Sequence, residues 1–269
     1  MTALALVDAA SVERERGAEH LALAAAARTL ASGAESEGLA VAGGGAVYAW
    51  PDSPFNLALG IGWSDEPPEP ALATLEAFYR KHGAPCVIDL ADQAPPAWRS
   101  LLFARGYRLQ EALYLWALPL SDTQGRAGDP RVARALDDAA REACARAVAG
   151  GFLDGAAASE RDLDVARAIA RTAGTELFVA RDAAGDPVAG GALRVNGGVA
   201  HLFSASTVPR ARRQGLQTAL IEARLAWARA LGARVAIVQT EPTGPSRHNV
   251  ERLGFRVAYT NWALVSPEA

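Results

Sequence analysis

Hydrophobic residues in the second half of the chain recur with two different periods. Spacings of three and four residues predict helices, while short alternating or continuous apolar runs predict strands. The resulting order is a strand, two helices, three strands, a helix, a strand, a short helix and a last strand. The predicted strands lie at residues 131–136, 177–181, 188–195, 199–207, 234–240 and 255–265, and the predicted helices at 137–149, 159–172, about 215–231 and 246–253.

The first half of the chain shows a similar succession of patterns. Residues 8–30 are rich in Ala, Leu, Glu and Arg with few helix breakers, which predicts one long helix or a helical hairpin. Short apolar runs separated by Gly- and Pro-containing turns then predict antiparallel strands. The predicted strands lie at residues 39–42, 46–50, 56–61, 87–90 and 107–120, and the predicted helices at 68–82 and 96–105.

Residues 121–130, with the sequence SDTQGRAGDP, separate the two halves. The stretch is polar, contains Gly and Pro and shows no hydrophobic period, as is typical of a linker. We therefore predict a first domain at residues 1–122, a linker at 123–130 and a second domain at 131–269.

Composition narrows the class of protein. A chain of 269 residues that is 50% hydrophobic can bury a substantial core, and its net charge of −3 gives no support to nucleic-acid binding. Two distant cysteines, Cys86 and Cys144, suggest neither a disulfide framework nor a metal site. The chain lacks a basic leader and a long apolar run, so we expect a cytoplasmic protein that binds no membrane. From the net charge and the cysteines we expect no binding of nucleic acid or metal.

The stretch from Val208 to Leu220, VPRARRQGLQTAL, predicts an anion site. It carries three arginines and lies between an apolar strand and an amphipathic helix that opens near Gly215. The first N–H groups of a helix lack internal partners and the helix dipole favours anions there. Glycine also lets a ligand approach the backbone closely.

This stretch resembles the acyl-CoA loop of the GNAT acyltransferase superfamily, whose signature is Gln/Arg-x-x-Gly-x-Gly/Ala between a strand and a helix. The sequence here is Arg212-Arg213-Gln214-Gly215-Leu216-Gln217. Gln217 departs from the pattern by carrying a long side chain where the family has Gly or Ala. The predicted element order of residues 131–269 is also similar to that of the GNAT fold.

A second segment supports the resemblance and reveals an internal repeat. Ser246 to Phe255 is similar to the later GNAT segment in which a short helix ends at a Leu-Gly-Phe turn. The sequence from Gly254 to Leu264 also echoes that from Gly106 to Leu118. The resemblance implies an α/β fold of two tandem GNAT-like domains, each a mixed, mainly antiparallel sheet flanked by helices.

The two halves differ at the junction between strand and helix. In the first half, residues 62–69 read GWSDEPPE, with three carboxylates where the second half has three arginines. Two prolines also remove N–H donors from that helix start. Such a junction would repel a pyrophosphate, so we expect a degenerate first domain that binds no CoA.

The resemblance implies transfer of an acetyl group from acetyl-CoA to an amine, directly in a ternary complex. GNAT folds separate the strand before the loop from the strand after its helix, and pantetheine pairs with the exposed backbone. In this chain those strands are residues 199–207 and 234–240. The implied cofactor-binding residues are Thr207, Val208, Arg212, Arg213, Gln214, Gly215, Leu216, Gln217, Thr218 and Asn249.

Catalytic residues are less clearly marked. An alkylammonium has a pKa near 10 and must lose a proton before attack. Glu241, at the end of strand 234–240, is the preferred base, with His201 and water-mediated deprotonation as alternatives. Many GNAT relatives carry a Tyr that acts as the general acid where this chain has Val250. The remaining candidates for the acid are Ser246 and Tyr259, and the thiolate could also leave without a protein acid.

The acceptor is expected to be a small-molecule amine, with a protein amine less favoured. The alternative is a non-catalytic acyl-CoA-binding or regulatory protein, which the missing helix Tyr favours. Arg131 and Arg134 are expected to take no part in CoA binding. The pattern of residues leaves monomer and homodimer equally open.

Overall fold

The computed structural model describes residues 7–122 and 128–267, which form two compact units. The first unit contains the residues up to 116 together with 240–247 and 256–267, and the second contains 117–239 and 248–255. Part of the predicted linker, residues 123–127, lies outside the described residues. The units are described separately below.

The first unit builds a mixed sheet with helices against it. The strand order is β1-β2-β3-β4-β11-β5. Strand pairs β1/β2, β2/β3 and β4/β11 are antiparallel, and β3/β4 is parallel. Its elements are α1 (Ala9–Ala27), β1 (Glu37–Val41), β2 (Gly44–Tyr48), β3 (Leu57–Leu59), α2 (Pro68–Lys81), β4 (Val87–Ala91), α3 (Pro96–Ala104), β5 (Arg108–Pro119) and β11 (Arg256–Val265).

The last strand of the chain corrects the predicted domain boundary. β11 pairs with β4 of the first unit, with Trp262 opposite Leu90, so the segment expected to close the second domain belongs to the first. Leu264 is fully buried in the same core as Leu72 and Leu75 of α2. The echo between the two half-chain ends therefore corresponds to two strands of one sheet, β5 and β11.

The strands of the second unit lie in the order β10-β9-β8-β7-β6. The pairs from β6 to β9 are antiparallel, and β9/β10 is parallel. This agrees with the predicted fold class of mixed, mainly antiparallel sheets flanked by helices. The elements are β6 (Val132–Arg134), α4 (Asp138–Phe152), α5 (Glu160–Arg171), β7 (Glu176–Arg181), β8 (Pro187–Asn196), β9 (Val199–Thr207), α6 (Leu216–Ala230), β10 (Val235–Thr240) and α7 (Pro245–Arg252), of which α7 spans both units.

The core of the second unit is built from small side chains that bring α4 and α5 close to the sheet. Cys144, Val148 and Ala166 pack against Leu177 and its neighbours on the strands. Asp137 caps α4 by accepting the Ala140 N–H at 2.7 Å, which fixes where that helix begins.

Both cysteines, Cys86 and Cys144, are buried and free, as expected of small apolar residues. Within residues 7–122 and 128–267, no helix combines the length and apolar character needed to cross a membrane. The same residues contain no group of three or more His, Cys, Asp or Glu side chains arranged to hold a metal ion.

A buried polar cluster joins α1, β4 and β11 in the first unit. Arg16 bonds both carboxylate oxygens of Glu13, at 2.8 and 2.9 Å, and reaches Asp89 at 3.2 Å. Tyr259 and Asn261 of β11 donate to the same Glu13 at 2.8 and 3.2 Å. All five side chains are at least 95% buried, so each depends on the others for its hydrogen bonds.

Replacing Arg16 tests this cluster. Arg16→Met leaves the carboxylates of Glu13 and Asp89 buried without their cation, and we expect the free energy of unfolding to fall by about 3–5 kcal/mol. Urea denaturation followed by circular dichroism measures the change. Arg80→Met, an exposed position on α2, should stay within about 0.5 kcal/mol of the parent. A loss below about 1 kcal/mol for Arg16→Met would contradict the role assigned to the cluster.

His20 predicts a stability change with pH. It lies buried on α1 with Nε2 donating to Leu57 O at 2.9 Å, and burial lowers its pKa from 6.5 to about 4. Below pH 6.5 the unfolded chain takes up a proton that the folded chain resists, so stability falls as the pH drops towards 4. The loss is on the order of 3 kcal/mol.

Denaturation curves recorded at several pH values measure this loss. His20→Gln retains a donor for Leu57 and should flatten the pH dependence between 6.5 and 4. His248→Gln removes an exposed histidine and should leave the slope unchanged. An identical slope in the parent and His20→Gln would show that His20 does not titrate in this range.

Candidate active site

The neighbouring strands β9 and β10 run parallel and then separate. Their paired register ends where Leu202 meets Val238. Beyond that point β9 has no pairing with β10, although it remains paired with β8 as far as Thr207. One edge of β9 is therefore open after Leu202, as the family resemblance implies.

Strand β9 carries a bulge within this open segment. Gly190 of β8 pairs with Ser206 and Ala192 pairs with Phe203, so two residues of β9 lie opposite one residue of β8. The first of these two, Ser204, has a φ of 45°, a left-handed conformation that costs a non-glycine residue about 1–2 kcal/mol. A bulge of this kind bends its strand and strengthens the local twist.

The loop after β9 leads into an open helix start. Arg213 and Gly215 have φ values of 61° and 77°, and α6 begins at Leu216. The Ala219 N–H donates to Gly215 O at 3.0 Å, so the N–H groups just before it have no partner inside the helix. A Cβ on Gly215 would meet nothing within 4 Å. The helix start therefore presents free donors and a positive dipole end to an anion.

The three loop arginines have different surroundings. Arg213 is exposed and makes no hydrogen bond or ion pair with the described residues, so its charge is available to a ligand. Arg212 is held by the protein itself, with Nε bonding Thr207 O at 3.1 Å and Nη2 bonding Gly151 O at 3.0 Å. Arg210 pairs with Asp182 at 2.6 Å. Arg212 and Arg210 thus hold the loop in place.

Two further arginines, Arg131 and Arg252, lie beside the helix start. Arg131 Nη1 donates to Gln214 O at 3.2 Å, so Arg131 lies against the loop, and the expectation that it takes no part in CoA binding stays a prediction. Arg252, at the end of α7, approaches Thr218 Oγ1 at 3.5 Å. Both are distant from the loop in sequence, so no local motif could have indicated them.

Unsatisfied polar atoms line the same region. Gln217 directs Nε2 towards Ala205 O on the open edge of β9, at 3.5 Å. Its Oε1 and the Oγ1 of Thr207 are buried and have no hydrogen-bond partner among the described residues. Orphaned buried acceptors are rare in folded proteins. A ligand with amide N–H groups along the open edge of β9 would satisfy them.

The other predicted binding residues differ in availability. Val208 N–H donates to Val188 O at 2.9 Å, so this donor is used within the sheet and the strand alternation turns the Thr207 N–H towards the open edge. Leu216 is buried in the core, and only its backbone faces the helix start. Gln214 is exposed, and Asn249 is half-buried on α7 in the second unit.

The candidate catalytic base and acid residues have different surroundings. Glu241 is exposed and follows β10 directly. Burial, followed by the charges of Glu241 and Asp89, raises the pKa of Glu111, a residue that the sequence did not single out. Ser246 is exposed in the first turn of α7, whereas His201 lies in the paired part of β9, stacked on Phe203.

Tyr259 lies in the buried polar cluster of the first unit. Its hydroxyl donates to Glu13 at 2.8 Å and it is 3% exposed. Burial, together with the charge of Glu13, raises the pKa of Tyr259. The hydroxyl therefore donates within the buried cluster, which leaves Tyr259 without a free proton for a thiolate.

The corresponding junction of the first unit offers no free donors of this kind. Its helix α2 is preceded by Pro67 and begins with Pro68, and proline has no N–H to offer. Glu66 uses its carboxylate to accept the Ala42 N–H at 2.7 Å, and Glu69 pairs with Arg105. That the first unit binds no pyrophosphate at this junction stays a prediction.

Comparison with known proteins identifies the domain. Residues 134–255 match the model of the acetyltransferase (GNAT) family. These residues form a GNAT acetyltransferase domain. The matched stretch of the GNAT domain ends before β11, the strand that belongs to the first unit. Members of the family are acyltransferases that generally use acyl-CoA as co-substrate, so the domain indicates acyl transfer.

Solved structures extend the likeness beyond the GNAT domain. A GCN5-related N-acetyltransferase from Kribbella flavida is 19% identical, with a TM-score of 0.62, and the match covers 93% of this chain and 96% of that one. A tandem GNAT protein from the clavulanic acid biosynthesis pathway is 17% identical, with a TM-score of 0.58 over 83% and 78% of the chains. These similarities show a tandem GNAT fold. No curated protein matches the sequence.

Arg213 provides a direct test of the loop. Arg213→Glu places a negative charge beside the free N–H groups of α6, and we expect CoA affinity to fall at least tenfold, with a smaller difference at high salt. Isothermal titration calorimetry with CoA measures it. Arg161→Glu, an exposed arginine on α5, should bind CoA like the parent. Equal affinities of Arg213→Glu and Arg161→Glu would remove Arg213 from the site.

Proposed function

We propose that the protein is an N-acetyltransferase that transfers an acetyl group from acetyl-CoA to an amine of a small-molecule acceptor. The observation that carries this proposal is the separation of β9 from β10 directly before an open helix start with the free cation Arg213. One edge of a strand and one anion site thus lie in succession along the chain. An acyl-CoA offers an extended amide chain and a diphosphate in the same succession.

The residues present fit that co-substrate. The N–H groups from Gly215 to Thr218 and the side chain of Arg213 would hold the diphosphate. Arg252 adds positive charge beside them, whereas Arg131 pairs with Asp129 at 2.6 Å and donates to Gln214 O. Further along the open edge, Gln217 has an unsatisfied buried oxygen that suits a pantetheine amide.

Bound acetyl-CoA would supply a thioester that the acceptor amine attacks directly. The chain must then favour the neutral amine over its ammonium form, whose pKa is near 10. Glu241 stands at the carboxyl end of β10 and is exposed, so it can hold the ammonium and accept its proton directly or through water. His201 is a weaker choice because its ring stacks on Phe203 within the paired part of the sheet.

Departure of the thiolate places a smaller demand on the protein. A thiol pKa near 8.5 makes the thiolate a tolerable leaving group without an acid. Ser246 is the remaining hydroxyl candidate, exposed on α7. Val250, where many relatives carry Tyr, is buried in the second unit and contributes packing. This observation favours the alternative of an acyl-CoA-binding protein without transfer.

Incubating the protein with acetyl-CoA and a panel of primary amines separates the two functions. Acetylated product detected by mass spectrometry is expected, while tight acetyl-CoA binding with no transfer to any amine would favour the non-catalytic alternative. Glu241→Gln should lower kcat at least tenfold with CoA affinity unchanged. Glu35→Gln, an exposed carboxylate with no described partner, should retain parental kcat. Parental kcat in Glu241→Gln would assign deprotonation to water or another residue.

A further inference from the structure

Arg224 is a buried arginine on the inner face of α6. It is 2% exposed. Its Nε donates to Leu220 O at 3.0 Å, and its Nη1 donates to Ala192 O at 3.1 Å and approaches Phe203 O at 3.5 Å. All three acceptors are backbone carbonyls. Two of them belong to residues paired across β8 and β9 at the edge of the bulge.

Among the residues that the structure describes, the charge of Arg224 has no counter-ion. No carboxylate among the described residues forms an ion pair with it, and burial lowers its pKa to about 10. Burying a cation without a partner anion is costly. A leucine at this position would pack in the core without that cost, so the carbonyl contacts of Arg224 require a physical explanation.

Gly191 shows that the surrounding strand accommodates the guanidinium. A Cβ at Gly191 would lie 2.9 Å from Cζ and 3.0 Å from Nη1 of Arg224, and 3.1 Å from Cβ of Ala205. Any side chain at Gly191 would therefore displace the guanidinium from its carbonyls. Gly191 is also the single β8 residue opposite the bulge.

The bulge breaks the regular ladder between β8 and β9, and carbonyls beside such a break need other donors. Arginine suits this task because its planar fork presents several donors in a fixed geometry and remains charged. The strained Ser204, with its φ of 45°, persists only if its surroundings hold it. Arg224 provides that support from one side and Gly191 leaves room for it.

We propose that Arg224 is a positioning residue that holds the bulge of β9 and so shapes the open strand edge along which acetyl-CoA binds. The proposal rests on the function proposed above for the second unit. It assigns Arg224 no contact with the reacting atoms. It predicts that loss of Arg224 weakens binding of the extended part of acetyl-CoA and leaves binding of the nucleotide part by the loop unchanged.

Arg224→Met tests the proposal with two ligands. Adenosine 3′,5′-bisphosphate shares the nucleotide part of CoA and should reach only the loop, so its Kd should stay within twofold of the parent. The Kd of acetyl-CoA should rise at least fivefold. Equal weakening of both ligands, or parental affinity for both, would overturn the proposal. Arg161→Met serves as the surface control.

Two further variants test whether the position and planar geometry of the guanidinium matter, as distinct from its charge and from loss of folding. Gly191→Ala keeps the guanidinium but displaces it, and Arg224→Lys keeps the charge but loses the planar fork. Both should show the same selective loss of acetyl-CoA affinity as Arg224→Met. Parental acetyl-CoA affinity in Arg224→Lys would show that charge alone suffices and would overturn the proposal that the guanidinium holds the bulge.

Amide hydrogen exchange tests, without any ligand, whether Arg224 holds the bulge of β9. Exchange in residues 203–207 should accelerate at least tenfold in Arg224→Met, while residues 235–238 of β10 should exchange as in the parent. Unchanged exchange in 203–207 would overturn the proposal. If the parent binds no acetyl-CoA, the proposed function fails, and this measurement still decides the role of Arg224.

Discussion

The second unit is organised around a strand that must keep one edge unpaired. Backbone carbonyls on an open edge need donors when they are partly buried. Two carbonyls of β9 beyond Leu202, those of Ala205 and Thr207, are each approached by a side-chain donor, from Gln217 and Arg212 respectively. Side-chain donors thus take the place of part of the missing strand ladder on this edge.

In the first unit, the end of the comparable parallel strand pair is covered by a helix. Its parallel pair β3/β4 ends where Leu59 meets Asp89. A Cβ on Gly60 would lie 2.2 Å from Glu13 O, so α1 packs directly on the strand end. Arg16 of α1 also reaches Asp89, the β4 residue at the end of this pair, at 3.2 Å. Similar topology therefore yields a packed core in one unit and an open edge in the other.

Local patterns in the sequence predicted the elements, the loop and the two-unit organisation, because period, turn residues and helix starts depend on nearby residues. The strand predicted at residues 188–195 extends one residue further, because Asn196 pairs with Val199 and the turn residues are Gly197 and Gly198. A shift of one residue is the usual uncertainty when several turn-forming residues are adjacent.

The sequence could not predict partners that only the fold brings together. Arg212 donates to Gly151 O, 61 residues away in the chain, a contact that no local pattern could indicate, and its part in CoA binding stays a prediction. The same holds for the strand β11, whose partner in the sheet could not be read from its own pattern. Arg224 did leave a signal, since it follows Leu220 by four residues and so falls on the apolar face of α6. A charged residue at such a position indicates a buried polar contact.

The place of β11 in the first unit has a consequence for how the chain is made. Tyr259 and Glu13 are separated by 246 residues, yet they share one buried hydrogen bond. A ribosome releases the N-terminal strands long before the strand that completes their sheet. The first unit must wait until synthesis of the second is finished, with an unpaired edge of β4 and with Glu13 lacking its two donors from β11. Contacts of such long range form slowly and leave the nascent chain open to wrong pairing.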